Sequence, residues 1–172
     1  TIGWGAFGGC ASLTAITIPD SVTDIGGYAF SGCASLTAID VSGGNAKYAS
    51  IGGVLFNKTH STLIACPGGL SGPYAIPNSV TTIGRGAFDG CASLTSVTIP
   101  DSVTDIGEGA FYGCSSLTSV TIPGNVTDIG DYAFDGCTAL TSVSILGSVT
   151  TIGEGAFCGC LSLTSVTIPD SV

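Results

Sequence analysis

Residues 104–123 read TDIGEGAFYGCSSLTSVTIP, and close copies of this stretch fill most of the 172-residue chain. The repeat is marked by a cysteine that recurs every 23 residues, apart from one interval of 58 residues. The members of this series are Cys10, Cys33, Cys91, Cys114, Cys137 and Cys160. A unit of this length cannot bury an apolar side on its own, so the sequence predicts copies that stack on one another.

The second half of the unit predicts a short strand. In the copy LTSVTIP, Val97 and Ile99 alternate with Ser96 and Thr98, which is the pattern of a strand with one wet face. Together with Leu94, the two apolar residues also fit the L-x-x-L-x-L core of leucine-rich repeats.

The first half of the unit predicts a turn with one buried side. Ala87, Phe88, Cys91 and Leu94 are spaced by one, three and three residues, a pattern that suits a short helical or 3₁₀ turn. Gly90 lies where such a turn would end, and glycine tolerates the positive φ often needed there. The predicted fold class is therefore a β-rich α/β solenoid, a leucine-rich repeat of 23-residue coils with short strands and short helical or 3₁₀ turns.

Stacking in register also predicts rows of identical side chains. Neighbouring coils should be about 4.8 Å apart, which is the separation of paired strands. The phenylalanines of successive copies should then form one aromatic row, made of Phe7, Phe30, Phe88, Phe111, Phe134 and Phe157.

The six periodic cysteines should form a second buried row, in which Cys acts as a small hydrophobic residue. Such a row does not bring four ligands to one point, so it does not predict a zinc site. Disulfides between adjacent coils fit the distance, but parallel side-chain vectors disfavour them. Cys158, in a variable and exposed slot, and Cys66, in an irregular segment, fall outside the row.

Residues 42–75 interrupt the period. Two apolar runs, Val54–Phe56 and Leu63–Cys66, flank a polar stretch at 57–61, which predicts a turn between antiparallel strands. We interpret 42–75 as one enlarged irregular coil, with room for a protruding hairpin, inside a single solenoid that covers 1–172. Because both ends lie within a repeat, we expect this solenoid to be a fragment of a longer array.

The combination of AFxGCxSLTSVTIPxSV with TxIGxxAF resembles the BspA-like (Treponema-type) leucine-rich repeats, over nearly the whole chain. The interruption GVLFNK…LI…P is similar to those found in the same family. The resemblance implies a right-handed solenoid in a secreted or cell-surface protein used for adhesion or assembly.

Charge and motifs argue against several functions. The net charge is −9, and the only basic residues are Lys47, Lys58 and Arg85, so nucleic acid and anionic lipid are poor partners. No apolar run is long enough to enter a membrane in this segment. His60, the single histidine, lies in a predicted turn, and no catalytic, metal-binding or phosphate-binding motif is present. We therefore predict no enzyme activity and no cofactor.

The outward residues of the strands are the candidate binding surface. They are Ser96, Thr98, Ser119, Thr121, Ser142, Ser144, Ser165 and Thr167. Hydroxyl pairs also stabilise sheets, so this pattern has a purely structural explanation as well. A neutral, repetitive face without aromatic or arginine anchors favours weak, multivalent binding of a host or matrix protein or a glycan.

Two further hypotheses concern the whole solenoid. A regular Ser/Thr array resembles the flat threonine faces of ice-binding solenoids, and missing caps would allow copies to associate end to end into extracellular filaments. Two sequons, at Asn57 and Asn125, are possible glycosylation sites in a secreted eukaryotic protein.

Overall fold

The computed structural model describes the whole chain, residues 1–172, and shows a β-solenoid. Its coils are 23 residues long, and threonine hydroxyls mark the period. Thr37 Oγ1 donates to the carbonyl of Thr14 at 3.0 Å, and Thr141 Oγ1 donates to the carbonyl of Thr118 at 3.0 Å, each across 23 residues. The stacking predicted from the repeat is therefore present.

Thirteen short strands follow one another along the chain. They are β1 (Ala15–Ile18), β2 (Ala38–Val41), β3 (Tyr48–Ile51), β4 (Val54–Asn57), β5 (Thr62–Ala65), β6 (Gly72–Ala75), β7 (Thr82–Ile83), β8 (Leu94–Thr98), β9 (Asp105–Ile106), β10 (Ser119–Ile122), β11 (Asp128–Ile129), β12 (Ser142–Ile145) and β13 (Thr151–Ile152).

Each regular coil contributes to two sides of the solenoid. The longer strands form one side and pair in parallel as β1–β2, β6–β8 and β10–β12. The two-residue strands form another side within a seven-stranded sheet of order β13-β11-β9-β7-β5-β4-β3. A third side consists of turns, which connect the short strand of a coil to its long strand. We call it the turn side.

The turn side contains no helix, so the predicted helical or 3₁₀ turns and the α/β class are wrong. Isolated turns replace them, with Ala87 N bonded to Gly84 O at 3.2 Å and Cys91 N bonded to Phe88 O at 3.0 Å. The reason is the backbone at Gly86 and Gly90, where φ is 62° and 72°. A positive φ ends a right-handed run, so no helical segment can extend through these positions.

The cysteine row is present and hydrogen-bonded. Its burial is confirmed only for the inner coils: Cys33, Cys91, Cys114 and Cys137 are fully buried, whereas Cys160 is half-buried and Cys10 is exposed. The prediction of a buried thiol is wrong for Cys10, which lies in the first coil and has a neighbouring coil on one side only. All eight cysteines are free thiols. Cys114 Sγ donates to the carbonyl of Phe88 at 3.2 Å, and the same bond recurs between equivalent residues of the next coils. The thiol therefore does more than fill space, because it adds a second hydrogen bond to a carbonyl of the preceding coil that already accepts from the N–H of Cys91 at 3.0 Å.

The phenylalanine row differs from the prediction because it is divided into two. Phe7 stacks on Phe30 with ring centroids 5.6 Å apart. A second row runs from Phe88 through Phe111 to later coils, with the first two centroids 4.7 Å apart. No stacking joins Phe30 to Phe88, and Tyr74 packs edge-on against Phe88, at 5.9 Å.

The irregular segment explains this division. Strand β4 pairs antiparallel with both β3 and β5, and β5 pairs in parallel with β7. Strand β4 is buried on both faces: Val54 and Phe56 belong to a core of 30 buried residues, and Leu55 belongs to a separate core of 9. Because side chains alternate along a strand, β4 is a wall between two hydrophobic cores and does not protrude.

Asn45 fixes the start of this segment against the first coils. It is the only buried polar residue, 1% exposed, and its amide donates to the carbonyls of Pro19 and Val22 at 2.8 and 3.1 Å. Its Oδ1 accepts from the backbone N–H groups of Lys47 and Tyr48, each at 2.8 Å. One side chain thus bonds four backbone groups, of which the carbonyl of Pro19 also accepts from the N–H of Val22 at 3.1 Å.

Candidate functional site: a hydroxyl stripe and an aromatic cleft

The structure places the predicted binding residues side by side on the long-strand side. Ser119 pairs with Ser142, and Thr121 pairs with Ser144, in the parallel register of β10 and β12. All of the candidate residues are exposed except Ser96, which is half-buried. We call this surface the hydroxyl stripe: Ser96, Thr98, Ser119, Thr121, Ser142, Ser144, Ser165 and Thr167.

The hydroxyls of the stripe differ from the other threonine hydroxyls of the solenoid. Thr37, Thr118 and Thr141 each donate to a carbonyl of the preceding coil, so their hydroxyls serve the fold. No side-chain hydrogen bond in the structure involves a residue of the stripe. Its hydroxyls can therefore donate to, and accept from, an external molecule without breaking a bond inside the protein.

The stripe does not extend over every coil. Towards the first coils the paired positions hold Ala15 and Ala38, then Thr17 and Asp40. Strand β6 brings Pro73 beside Ser96. Paired hydroxyls are thus confined to the later part of the chain.

A second surface, on the turn side, was not predicted from the sequence. Four aromatic residues line an open cleft of about 410 Å³ together with Gly5, Gly8, Ser31 and Asp89. The aromatic residues are Trp4, Tyr28, Tyr112 and Tyr132, and we call this surface the aromatic cleft. The exposed fractions are 74% for Trp4, 46% for Tyr112 and 38% for Tyr132, values that are high for such large side chains.

The cleft arises at the slots where the repeat varies. One slot lies directly before the Ala-Phe pair, and it holds glycine in four coils and tyrosine in two: Gly5, Gly86, Gly109, Gly155, Tyr28 and Tyr132. The backbone is left-handed in all of them, with φ of 58° at Tyr28 and 55° at Tyr132. This conformation costs an L-residue roughly 1–2 kcal/mol, so both tyrosines are held under strain. The clustering of non-core aromatic residues in variable slots was the sequence signal for the cleft.

Both strained tyrosines are fixed by glutamates of later coils. Tyr28 lies over Gly86 and Gly109, and its hydroxyl donates to Glu108 Oε1 at 3.4 Å. Burial, followed by the charge of Glu108, raises the pKa of Tyr28 to about 12. Tyr132 donates in the same way to Glu154 Oε1, at 2.8 Å.

The charge around the cleft is negative. Asp89 Oδ2 accepts from Ser31 Oγ at 2.8 Å, and no hydrogen bond reaches its second oxygen. Burial raises the pKa of Asp89 above its ordinary value, and the Ser31 bond lowers it by less. The one ion pair of the structure joins Arg85 to Glu108 at 3.4 Å on the solvent side. Asp89 is therefore a half-buried carboxylate without a cation.

The other residues singled out in the sequence do not form a site. His60 packs edge-on against Phe56 at 6.1 Å, within its turn. Asp105 and Asp128 are neighbours in the stack, as expected, and Thr82 and Thr151 flank them. The structure contains no group of three His, Cys, Asp or Glu side chains that could hold a metal ion.

The two sequon asparagines already use their amide nitrogens. Asn57 Nδ2 donates to Ser61 Oγ at 2.9 Å, and Asn125 Nδ2 donates to the carbonyl of Asp101 at 2.6 Å. A glycan on either nitrogen would replace one of its hydrogens.

Of the two non-periodic cysteines, Cys158 is exposed, whereas Cys66 is buried and its pKa is raised well above its usual value by desolvation. No helix reaches the length and hydropathy needed to cross a membrane.

Comparison with known proteins identifies similar solenoids. The chain matches the BspA type leucine rich repeat region, in six copies, over residues 1–72 and 73–172. No curated protein matches it.

Three solved bacterial structures share the fold. A leucine-rich repeat protein from Eubacterium ventriosum is 36% identical with a TM-score of 0.84, and the match covers 89% of this chain and 41% of that one. A leucine rich cell surface protein from Faecalibacterium prausnitzii is 38% identical with a TM-score of 0.70, covering 94% and 49%. The pneumococcal vaccine antigen PcpA is 25% identical with a TM-score of 0.66, covering 93% and 50%. The chain thus spans half the length of these relatives or less.

Proposed function

Since this chain belongs to the family of BspA-type leucine-rich-repeat proteins, we propose that it is a non-catalytic binding segment of an extracellular or cell-surface protein. Its ligand is a matrix or host protein, or a glycan, held weakly at many points along the hydroxyl stripe. The surface location is supported by the names of two relatives, a cell surface protein and a vaccine antigen.

The observation that carries the proposal is the in-register array of unpartnered hydroxyls. Ser119 lies beside Ser142 and Thr121 beside Ser144, so an extended ligand meets equivalent groups on neighbouring coils in the later part of the chain. Each hydroxyl contact is weak, but contacts that repeat along one ligand raise the overall affinity through effective concentration. An array of this kind suits adhesion better than the tight capture of a small molecule.

The test is binding of labelled protein to an immobilised extracellular-matrix preparation. A triple variant, Thr98→Lys, Thr121→Lys and Thr167→Lys, should lose binding because long charged side chains break up the neutral face. A matched triple, Ser12→Lys, Ser35→Lys and Ser93→Lys, adds the same charge at exposed positions on the turn side and should bind normally.

Two results decide the proposal. Equal binding by the stripe variant and the parent protein would eliminate the hydroxyl stripe as the contact surface. Loss of binding by both triple variants would show a general effect of charge and would also count against it. Periodate treatment of the matrix then separates the ligands, because it destroys glycans and leaves proteins in place.

A further inference from the structure

Two of the exposed aromatic residues of the cleft, Trp4 and Tyr112, have no evident role in folding. Tyr28 and Tyr132 cover glycines of later coils, yet Tyr132, like Trp4 and Tyr112, leaves a large part of its ring in water. Strained backbone is often found at ligand-binding positions. Tyr28 and Tyr132 are left-handed where the other four equivalent coils have glycine, and both line the cleft.

The size of the cleft suits a side chain with its flanking backbone. Its volume of about 410 Å³ lies within the range of small ligand sites, which begin at roughly 300 Å³. Trp4 and Tyr28 meet edge to face at 5.6 Å and form one wall of the cleft. Exposed aromatic rings around a concave surface are the usual anchors of tight contacts.

Charge complementarity selects the ligand. Five acidic residues occupy the variable slots of the later coils, against a single Arg85: Asp89, Glu108, Asp131, Asp135 and Glu154. Asp89 lines the cleft with one oxygen free of hydrogen bonds. Aromatic faces attract cations, and a half-buried carboxylate is stabilised by an opposite charge.

We infer that the aromatic cleft binds the arginine side chain of an extended basic peptide segment in a partner protein. A planar guanidinium stacks on aromatic rings and donates in pairs to a carboxylate, whereas the compact ammonium of lysine does neither as well. In this arrangement the guanidinium lies among Trp4, Tyr112 and Tyr132 and donates to the free oxygen of Asp89. The cleft lies on the turn side, so it acts independently of the hydroxyl stripe.

The single tryptophan of the chain makes the inference directly testable. Trp4 lines the cleft, so its emission reports occupancy without a label. The probe is the blocked peptide acetyl-GRGRG-amide, and its control replaces both arginines with citrulline, which has nearly the same shape but no charge. We expect saturable quenching or a shift of Trp4 emission, with about ten-fold weaker binding of the citrulline peptide, and affinity that falls as salt rises.

Variants of the intact chain locate the contact. Tyr112→Ala should weaken peptide binding about five-fold or more, since an exposed ring without side-chain hydrogen bonds is removed. Asp89→Asn should weaken it comparably, because the amide keeps an acceptor for Ser31 but loses the charge. Thr121→Lys, in the hydroxyl stripe, should leave peptide affinity unchanged. Circular dichroism and the urea midpoint verify that each variant is folded.

Three results would overturn the inference. The first is equal affinity for the arginine and citrulline peptides. The second is no binding at millimolar peptide, either by emission or by calorimetry. The third is binding of a neutral oligosaccharide such as cellohexaose in place of the peptide, which would make the cleft a carbohydrate platform. None of these results would bear on the proposed binding function of the hydroxyl stripe, which is tested separately with its own variants.

Discussion

The hydroxyl of Tyr28 donates to Oε1 of Glu108, 80 residues further along the chain, at 3.4 Å. To make this contact, the ring crosses Gly86 and Gly109, where any Cβ would collide with it. Close by, Ser31 donates to Asp89 at 2.8 Å across 58 residues. These two bonds connect the first two coils to the later coils on the side that the irregular segment does not fill.

Replacing Gly109 with alanine should therefore destabilise the protein beyond the cost of backbone strain alone. The new Cβ meets the hydroxyl of Tyr28 and must displace the ring. Gly5→Ala is the matched control, since φ is 60° at Gly5 and 56° at Gly109, while nothing lies within 4 Å of a Cβ at Gly5. We expect Gly5→Ala to cost roughly 1–2 kcal/mol of unfolding free energy and Gly109→Ala clearly more, by urea denaturation. Equal costs would show that the Tyr28 contact contributes nothing.

Removing a ring from the middle of the longer phenylalanine row should be severe. Phe111 is fully buried between Phe88 and Phe134, at centroid distances of 4.7 and 5.0 Å. Phe111→Ala should cost roughly 3–5 kcal/mol, as other buried phenylalanine truncations do. Phe7→Ala should cost less, because Phe7 is half-buried and stacks on one ring only. A larger loss at Phe7, measured by thermal or urea unfolding, would contradict this account of the rows.

Loss of the Asn45 side chain should loosen the start of the irregular segment. Asn45→Ala removes all four hydrogen bonds of this side chain, although the carbonyl of Pro19 keeps the N–H of Val22 as a partner. The bond to the N–H of Tyr48 is the buried one, and a buried group left without a partner costs roughly 1–3 kcal/mol. Trypsin measures the effect well, since the chain has three basic sites and one of them, Lys47, follows Asn45 by two residues. We expect faster cleavage at Lys47 in Asn45→Ala and no change in Asn78→Ala, an exposed asparagine.

The buried thiols should make stability fall at alkaline pH. Burial raises the pKa of Cys91 and of Cys137 to about 12, against 9.0 when unfolded. A raised folded-state pKa means that the stabilisation is complete below pH 9 and is lost as the pH rises towards 12. The urea midpoint should drop between about pH 8 and pH 10.5 by more in the parent protein than in the double variant Cys91→Ala, Cys137→Ala. The same drop in both proteins would refute this role of the thiols.

Much of the fold could be predicted because the repeat makes each residue's environment recur. The strand at Val97, the burial of the cysteines in the inner coils and the positive φ at Gly90 all followed from alternation and spacing. The helical turn was wrong because periodicity of apolar residues cannot show that Gly86 also takes a positive φ. Because two residues within five positions, Gly86 and Gly90, have a positive φ, only isolated turns can form there.

The division of the core and the aromatic cleft could not be obtained from the repeat alone. Both depend on which coils become neighbours across the irregular segment. The run of Val54, Leu55 and Phe56 is apolar throughout, and this pattern does not tell a strand buried on both faces from an outlying hairpin. The cleft needs Trp4 and Tyr132, which are 128 residues apart in sequence, on one surface.

The wall made by β4 has a mechanical consequence. Two hydrophobic cores placed end to end behave as two cooperative units in series. The smaller core has 9 buried residues and the larger has 30, so we expect the smaller unit to unfold first when the chain is pulled along the solenoid axis. The aromatic cleft lies across their junction, with Trp4 and Tyr28 on one unit and Tyr112 and Tyr132 on the other. A molecule that occupies it would tie the two units together, so attachment itself would strengthen the protein against being pulled apart.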